Sequence, residues 1–206
     1  MTNKATLILI VMLGMIAALA CKQAGEISNG VSKSLDEKSD TFSSSGKTWS
    51  NSNLEGTDVT IDLPGVPKDM NPPMPPNAGS VFTDINLHVL EDKDLTAVIT
   101  ELHPTGKQKM PIKMLADTSM ASLKKQIRDL TYTLDIQSET KAKYNGSFTR
   151  AGKNFDLRGC CIYKKTKPER VWAVLTLYPR DNADAQQAGQ RAIDSAVFNG
   201  STEECK

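Results

Sequence analysis

The stretch that decides the fold is Val171-Trp-Ala-Val-Leu-Thr-Leu-Tyr178, an almost unbroken apolar run that follows the turn-forming residues Lys167-Pro168-Glu169. A short apolar run bounded by turn residues is typical of a strand with both faces buried. The run therefore predicts a central strand over 170–178, and the rest of the sheet is expected to form around it.

Shorter segments on its N-terminal side alternate apolar and polar residues, which is the pattern of strands with one buried face. Charges from Glu91 to Asp94 mark the turn of a hairpin, and Asn145-Gly146 predicts a tight turn between two later strands. The alternating segments are residues 58–63, 81–89, 95–102, 132–137, 139–144, 147–150 and 154–164.

Two segments have the apolar period of a helix instead. In residues 117–130 apolar side chains recur on one face, and Asp117 or Thr118 could cap the first turn. A second helix is predicted over 182–198, capped by Asp181. Because strands and helices do not alternate strictly, we predict an α+β fold with a mainly antiparallel sheet flanked by two or more helices.

The first 21 residues have the order of a bacterial secretory signal: a cation at Lys4, an apolar run over 5–20, and small residues before Cys21. The run is shorter than the roughly 20 residues of a spanning helix. Ala18-Leu-Ala-Cys21 resembles the lipobox of bacterial lipoproteins, in which the cysteine receives a diacylglyceryl anchor. The alternatives are cleavage at the same bond without lipid, and an uncleaved anchor.

This start predicts three regions along the chain. Residues 1–20 are a signal peptide, residues 21–46 are a lipidated Cys21 with a flexible Ser/Gly-rich tether, and residues 47–206 are one globular domain. A short helix around Ile27 is the alternative for the tether. We expect a lipid-anchored protein of the cell envelope, and Lys22 favours the outer over the inner membrane if the cell is Gram-negative.

The remaining cysteines predict a disulfide, because an exported protein folds in an oxidising compartment. Neighbours on a strand point to opposite faces. Cys161 shares the apolar face of its strand, whereas Cys160 shares a face with Asp156 and Arg158 and is expected to be the more accessible thiol. We expect Cys160 to pair with Cys205, with Cys161 as the alternative partner.

Charge and histidine content argue against several functions. Without Lys4 the 25 Lys and Arg residues become 24, which equals the 24 Asp and Glu residues, so no net charge favours nucleic acid. The two histidines, His88 and His103, lie on the two arms of a hairpin, about 17–24 Å apart at about 3.4 Å per residue. We therefore expect no cofactor, no metal centre and no enzymatic activity.

The proline-rich loop over 64–79 is the best candidate for partner binding, because a polyproline segment is already extended. The candidate residues in that loop are Pro72, Pro73, Met74, Pro75 and Pro76. The alternative is a loop that only covers a sheet edge. Methionines between residues 70 and 120 could bind Cu(I), but their spacing favours core packing. Lysines near the first helix could face lipid headgroups.

The order of elements resembles the PsbP-like superfamily, which includes the DcrB-like bacterial lipoproteins. The resemblance covers about residues 47–200 and rests on four stretches. They are Leu63-Pro-Gly-Val-Pro67, Gly152-Lys-Asn-Phe-Asp-Leu157, the 172–178 strand and Ser195-Ala-Val-Phe198. It implies an αβα layout and a non-catalytic accessory role for other envelope proteins. The alternative function is a periplasmic carrier of a small ligand or metal ion.

Overall fold

A computed structural model describes Ser43 and residues 46–70, 78–107 and 110–206. The expected signal peptide, the lipidation site Cys21, nearly all of the tether and the loop residues Pro72–Pro76 lie outside the described residues. None of the helices in the described ranges has the length and apolar character needed to cross a membrane.

The described residues form ten strands and two α-helices. The strands are β1 (Ser50–Asn53), β2 (Val59–Leu63), β3 (Lys68–Asp69), β4 (Phe82–Asp92), β5 (Leu95–Pro104), β6 (Thr131–Ile136), β7 (Lys141–Arg150), β8 (Lys153–Lys164), β9 (Arg170–Pro179) and β10 (Val197–Phe198). The helices are α1 (Ile112–Gln126) and α2 (Ala183–Ser195), and a 3-10 helix spans Ala78–Ser80.

Seven strands form the main sheet in the order β3-β4-β5-β9-β8-β7-β6, with every neighbouring pair antiparallel. The apolar strand β9 is fourth of seven, which confirms its predicted central position. Its side chains are buried alternately on the two faces: Val171 packs on one, and Trp172 and Val174 pack on the other. The predicted α+β class with an antiparallel sheet is confirmed.

The two faces of the main sheet are covered by different elements. Helix α1 packs on one face, where Leu115, Met120 and Leu157 belong to the larger hydrophobic core. Helix α2 and a small three-stranded sheet of order β1-β2-β10 cover part of the other face. There Trp172 and Phe198 lie with their ring centroids 5.4 Å apart. The sheet is therefore the middle layer between two cores.

The tight turn predicted at Asn145-Gly146 is wrong, because β7 runs through both residues without interruption. Gly146 lies opposite Tyr132, and a β-carbon at this glycine would be 2.9 Å from the main-chain oxygen of Thr131. A side chain there would collide with the neighbouring strand. The glycine thus permits close strand packing, and the dipeptide is a misleading turn signal.

Helix α1 begins at Ile112, five residues before the predicted start at residue 117. The cap is Pro111, which forms no side-chain capping bond, so Asp117 and Thr118 lie inside the helix instead of capping it. The φ angle of Pro111 is −59°, close to the helical value that its ring imposes. Buried Ile112 extends the apolar face by an additional turn.

Helix α2 is shorter than the predicted 182–198 and has a different cap. The side chain of Asn182, not Asp181, accepts a hydrogen bond of 3.0 Å from the main-chain N–H of Ala185. The helix ends at Ser195 because the next residues pair with β2 as strand β10. Val197, which lies inside the predicted helix, is instead part of β10 and is 53% exposed.

Candidate functional site

One face of the main sheet is left open beyond β8. Helix α2 contacts β9, β5 and β8, whereas the same face of β6 and β7 carries exposed or half-buried polar side chains. We call this surface the polar ledge. Its residues are Thr131, Thr133, Asp135, Lys143, Asn145, Ser147 and Arg158.

The strand register arranges the polar ledge in rows. Thr133 lies opposite Asn145, which lies opposite Arg158, so that one row crosses three strands. Asp135 lies opposite Lys143, and these residues place opposite charges side by side. The rows arise because period-two alternation sends every second residue to the same face.

Helix α2 forms a wall along the inner border of the polar ledge. Arg158 Nη1 donates a hydrogen bond of 3.0 Å to Oε1 of Gln190 on the helix. Gln190 in turn donates from Nε2 to Asp194 Oδ1 at 2.9 Å. The ledge is therefore a polar floor beside a polar wall, and it offers hydrogen-bond donors, acceptors and both signs of charge.

The outer border of the ledge is the free edge of β6. The main-chain N–H of Gln137 donates to the oxygen of Lys141 at 3.0 Å, in line with the β6–β7 register. Hydrogen bonding alternates along an antiparallel strand. The N–H and C=O groups of Tyr132, Leu134 and Ile136 therefore point away from β7, and no other strand of the described chain pairs with them.

The C-terminal tail borders the ledge near the β6–β7 turn. Cys160 of β8 and Cys205 form a disulfide with their Cα atoms 5.7 Å apart, which is the pairing expected from the sequence. Two hydroxyl groups near the turn, those of Ser138 and Thr140, donate hydrogen bonds of 3.1 and 2.7 Å to Glu203 Oε1. These contacts fix the tail across the sheet.

The expected accessibility of Cys160 is wrong, because its exposed fraction is 0%. Its face is open near the polar ledge but is covered farther along β8 by the smaller core that contains Trp172 and Cys205. Cys161 faces the opposite core and is free and buried. Burial raises the pKa of the Cys161 thiol to about 12, against a smaller opposing effect of its hydrogen bond with Tyr144.

The described part of the chain has little enclosed space for a ligand near this thiol. A cavity of about 10 Å³ lies between α1 and the sheet and is lined by Cys161, Ser119 and Thr100. That volume is close to the minimum for one water molecule. Small-molecule sites usually measure about 300–1,000 Å³. The cavity is therefore a packing defect and not a candidate ligand site.

A charged cluster that sequence reasoning missed lies on β5 and β9. Glu101 is 1% exposed, and its Oε1 lies 2.7 Å from His103 Nε2 and 3.1 Å from Arg170 Nε. Its Oε2 accepts a hydrogen bond of 2.7 Å from the main-chain N–H of Asp58. The cluster fastens the segment before β2 to the sheet, and the signal for it was a carboxylate inside an apolar strand.

The two histidines do not share a site. His88 Nε2 lies 3.1 Å from the main-chain oxygen of Glu55, whereas His103 belongs to the Glu101 cluster. His103 pairs with Asp84, which is four residues from His88 along β4, so the predicted separation of about 17–24 Å is too long at about 3.4 Å per residue. No group of three or more acidic, histidine or cysteine residues within the described ranges is arranged to hold a metal ion.

The described methionines belong to the core. Met110 and Met120 are buried in the core beneath α1, and Met70 and Met114 pack against it. Met74 lies outside the described residues, as do residues 71–77 of the proline-rich loop. Within that loop, the main-chain N–H of Met70 donates a hydrogen bond of 2.8 Å to the main-chain oxygen of Leu87 on β4.

No protein-family model matches the chain, and no curated protein matches it. Solved structures that align with it include the Ran-binding protein Mog1p of Saccharomyces cerevisiae. That alignment is 10% identical, covers 74% of this chain and 96% of Mog1p, and has a TM-score of 0.47. A point mutant of Mog1 aligns at 12% identity, covering 73% of this chain and 96% of that chain, with a TM-score of 0.44.

LpqN of Mycobacterium tuberculosis, described as involved in cell envelope biogenesis, also aligns with the chain. It is 13% identical, with coverage of 73% of this chain and 89% of LpqN and a TM-score of 0.37. Scores this low carry no argument about function. The fold class rests on the strands and helices described above, and the PsbP-like resemblance stays a prediction.

Proposed function

We propose that this chain is a membrane-tethered, non-catalytic lipoprotein of the bacterial envelope that binds or supports another envelope protein. The observation that carries the proposal is the disulfide between Cys160 and Cys205. Disulfides persist in oxidising compartments. This supports export, which the signal-like residues 1–20 also predict, and Cys21 is the proposed site of the lipid.

The non-catalytic part of the proposal is supported by how the reactive side chains are used. Glu101 Oε1 contacts both His103 and Arg170, and Glu101 Oε2 accepts a hydrogen bond from the main-chain N–H of Asp58. Cys161 is buried with a raised pKa. These groups are engaged inside the fold. The polar ledge, by contrast, carries exposed polar side chains such as Thr133 and Asn145, and we assign partner binding to it.

The lipid anchor is tested by the intact mass of the protein from fractionated bacterial membranes, with and without reductant. We expect the mass of residues 21–206 plus a glyceryl group and two or three acyl chains, lower by two hydrogens before reduction. A Cys21→Ser variant should leave the membrane fraction. A bare mass in the soluble fraction would contradict the anchor and favour the carrier function instead.

Partner binding is tested by a photo-crosslinking residue placed at Asn145 or Ser147, two ledge positions. The matched control is Lys125, an exposed residue on α1 and therefore on the opposite side of the sheet. We expect both ledge positions to capture the same envelope protein in living cells and the control position not to capture it. Equal capture from all three positions would contradict the assignment.

A further inference from the structure

The two edges of the main sheet differ in length and protection. At one edge β3 contributes only Lys68 and Asp69. At the other edge, β6 presents the six residues Thr131–Ile136 in an unshifted register with β7, without proline or lysine and with Asp135 as the one charge in the strand. Natural sheets usually protect an exposed edge with short strands, bulges, lysine or proline. Within the described residues, the charge of Asp135 is the one protective feature of the β6 edge.

We propose that β6 pairs antiparallel with β6 of a second copy of this chain, with Leu134 on the two-fold axis. In an antiparallel pair, directly opposite residues lie on the same face and alternate between bonded and non-bonded pairs. Leu134 then faces Leu134 of the second copy, and Tyr132 faces its Ile136. These three residues carry all the outward-pointing main-chain groups of the strand, so each exchanges its N–H and C=O bonds across the axis.

The side chains are compatible with this register. Ile136 is 41% exposed and would be covered by the ring of Tyr132 from the second copy, an aromatic pair with a β-branched residue that stabilises sheets. On the ledge face, the hydroxyl-bearing Thr133 lies opposite Asp135. The carboxylates of the two copies therefore do not meet. A register centred on Thr133 would leave the outward groups of Ile136 beyond the end of the strand pair.

The pairing joins the two polar ledges. A two-fold axis perpendicular to the sheet keeps both ledges on the same side, so they would form one continuous surface. Two paired six-residue strands bury less surface than the about 1,200 Å² at the lower end of standard interfaces. We therefore expect the dimer to be weak in solution. The inference does not depend on a lipid anchor, although tethering would raise the effective concentration.

Cysteine pairs test the register. Thr133→Cys and Asp135→Cys replace exposed residues that face each other in the proposed dimer. In an equal mixture of the two variants, mild oxidation should give a covalent dimer. Each variant alone should give no more covalent dimer than the parent chain. The Cα atoms of the two introduced cysteines, one in each copy, would then lie about 8 Å apart, which is beyond disulfide reach. A dimer from Thr133→Cys alone, or no dimer in the mixture, overturns the proposal.

Charge placement tests the contact without covalent trapping. Thr133→Asp puts a carboxylate opposite Asp135 of the second copy, whereas Asn145→Asp adds the same charge one strand inward. All chains carry Cys21→Ser so that no lipid is attached. By sedimentation equilibrium we expect Thr133→Asp to weaken the dimer at least tenfold and Asn145→Asp less than twofold. Equal effects, or a parent that stays monomeric up to about 1 mM, overturn the proposal.

Discussion

Gly189 of helix α2 lies directly against the ring of Tyr178 on β9. A β-carbon at Gly189 would be 2.9 Å from Cδ1 and Cε1 of Tyr178 and 3.1 Å from Oγ1 of Thr176. Distances below 3.0 Å are not compatible with a real side chain, so the helix can approach the central strand this closely only because residue 189 has none.

We therefore predict that Gly189→Ala destabilises the fold by about 1–3 kcal/mol, the usual cost of overpacking. Helix propensity alone would make alanine more stable than glycine by about 1 kcal/mol. A loss of stability in Gly189→Ala would therefore have to come from the steric clash. The measurement is urea unfolding, and Gly79→Ala is the control because a β-carbon there meets nothing within 4 Å. Equal stabilities of the two variants would contradict the proposed close contact.

Replacement of Glu101 should be among the most destabilising single changes in the sheet. Glu101→Ala would remove the nearer of the two carboxylates beside the guanidinium of Arg170, whose side chain is only 19% exposed, and leave Asp58 Oδ2 at 3.7 Å. It would also remove the acceptor for Asp58 N–H. We expect a loss of about 2–4 kcal/mol in urea unfolding. Glu101→Gln should lose less, since it keeps an acceptor. The control is Glu139→Gln, which alters an exposed ion pair with Lys165 and should leave the free energy of unfolding almost unchanged.

The disulfide should contribute strongly to stability because it closes a long loop. Cys160 and Cys205 are 45 residues apart. In the chain-entropy model, such a closure stabilises the fold by roughly 4 kcal/mol. The double variant Cys160→Ser and Cys205→Ser should lose about this amount. Reductant should lower the stability of the parent and leave the double variant unchanged. A double variant as stable as the oxidised parent would refute the prediction.

Stability should fall as pH rises above about 9. Burial raises the pKa of Cys161 from 9.0 to about 12, and burial together with the hydrogen bond to Glu169 raises the pKa of Tyr163 from 10.0 to about 12. Between pH 9 and about 12 the unfolded chain has released protons that the folded chain retains, so a rise in pH favours unfolding. Urea midpoints at pH 8 and at about 10.5 measure this effect.

Cys161→Ala tests the contribution of the thiol to that alkaline loss. The variant should be less stable at pH 8 because it leaves a small cavity, but its midpoint should decline less between pH 8 and about 10.5. In the parent, Cys161 should react with a thiol reagent at pH 8 only after unfolding. Rapid labelling of the folded protein would show that the thiol is accessible.

Sequence patterns predicted the elements that have a local signal. The apolar run ending at Tyr178 indicated the central strand, and the turn charges after Leu90 indicated the β4–β5 hairpin. Strand β1 was missed because its Ser-Asn-Ser-Asn residues show no apolar alternation, and its main chain pairs with β2. Val197 and Phe198 continue the apolar pattern of helix α2, and only their pairing with β2 makes them a strand.

The candidate surface was harder to predict than the fold, because it depends on which elements cover each face. Alternation placed Cys160 on the same face as Asp156 and Arg158, and this is correct. Yet the small core around Trp172 covers Cys160, whereas Arg158 lies at the edge of α2. Which part of this face is buried depends on how distant elements pack against it, and the sequence of β8 alone does not indicate that. The same reason explains why the polar ledge was not predicted.

The position of the disulfide also determines how the protein would respond to mechanical load. Because Cys205 is bonded to Cys160, a force applied to the chain on the C-terminal side of Cys205 is transmitted directly to β8. The loop between the two cysteines contains β9, α2 and β10, and none of it can be stretched while the bond is intact. At about 3.4 Å per residue, the closed segment removes about 150 Å from the length gained on forced unfolding. The central strand is thereby shielded from tension along the chain.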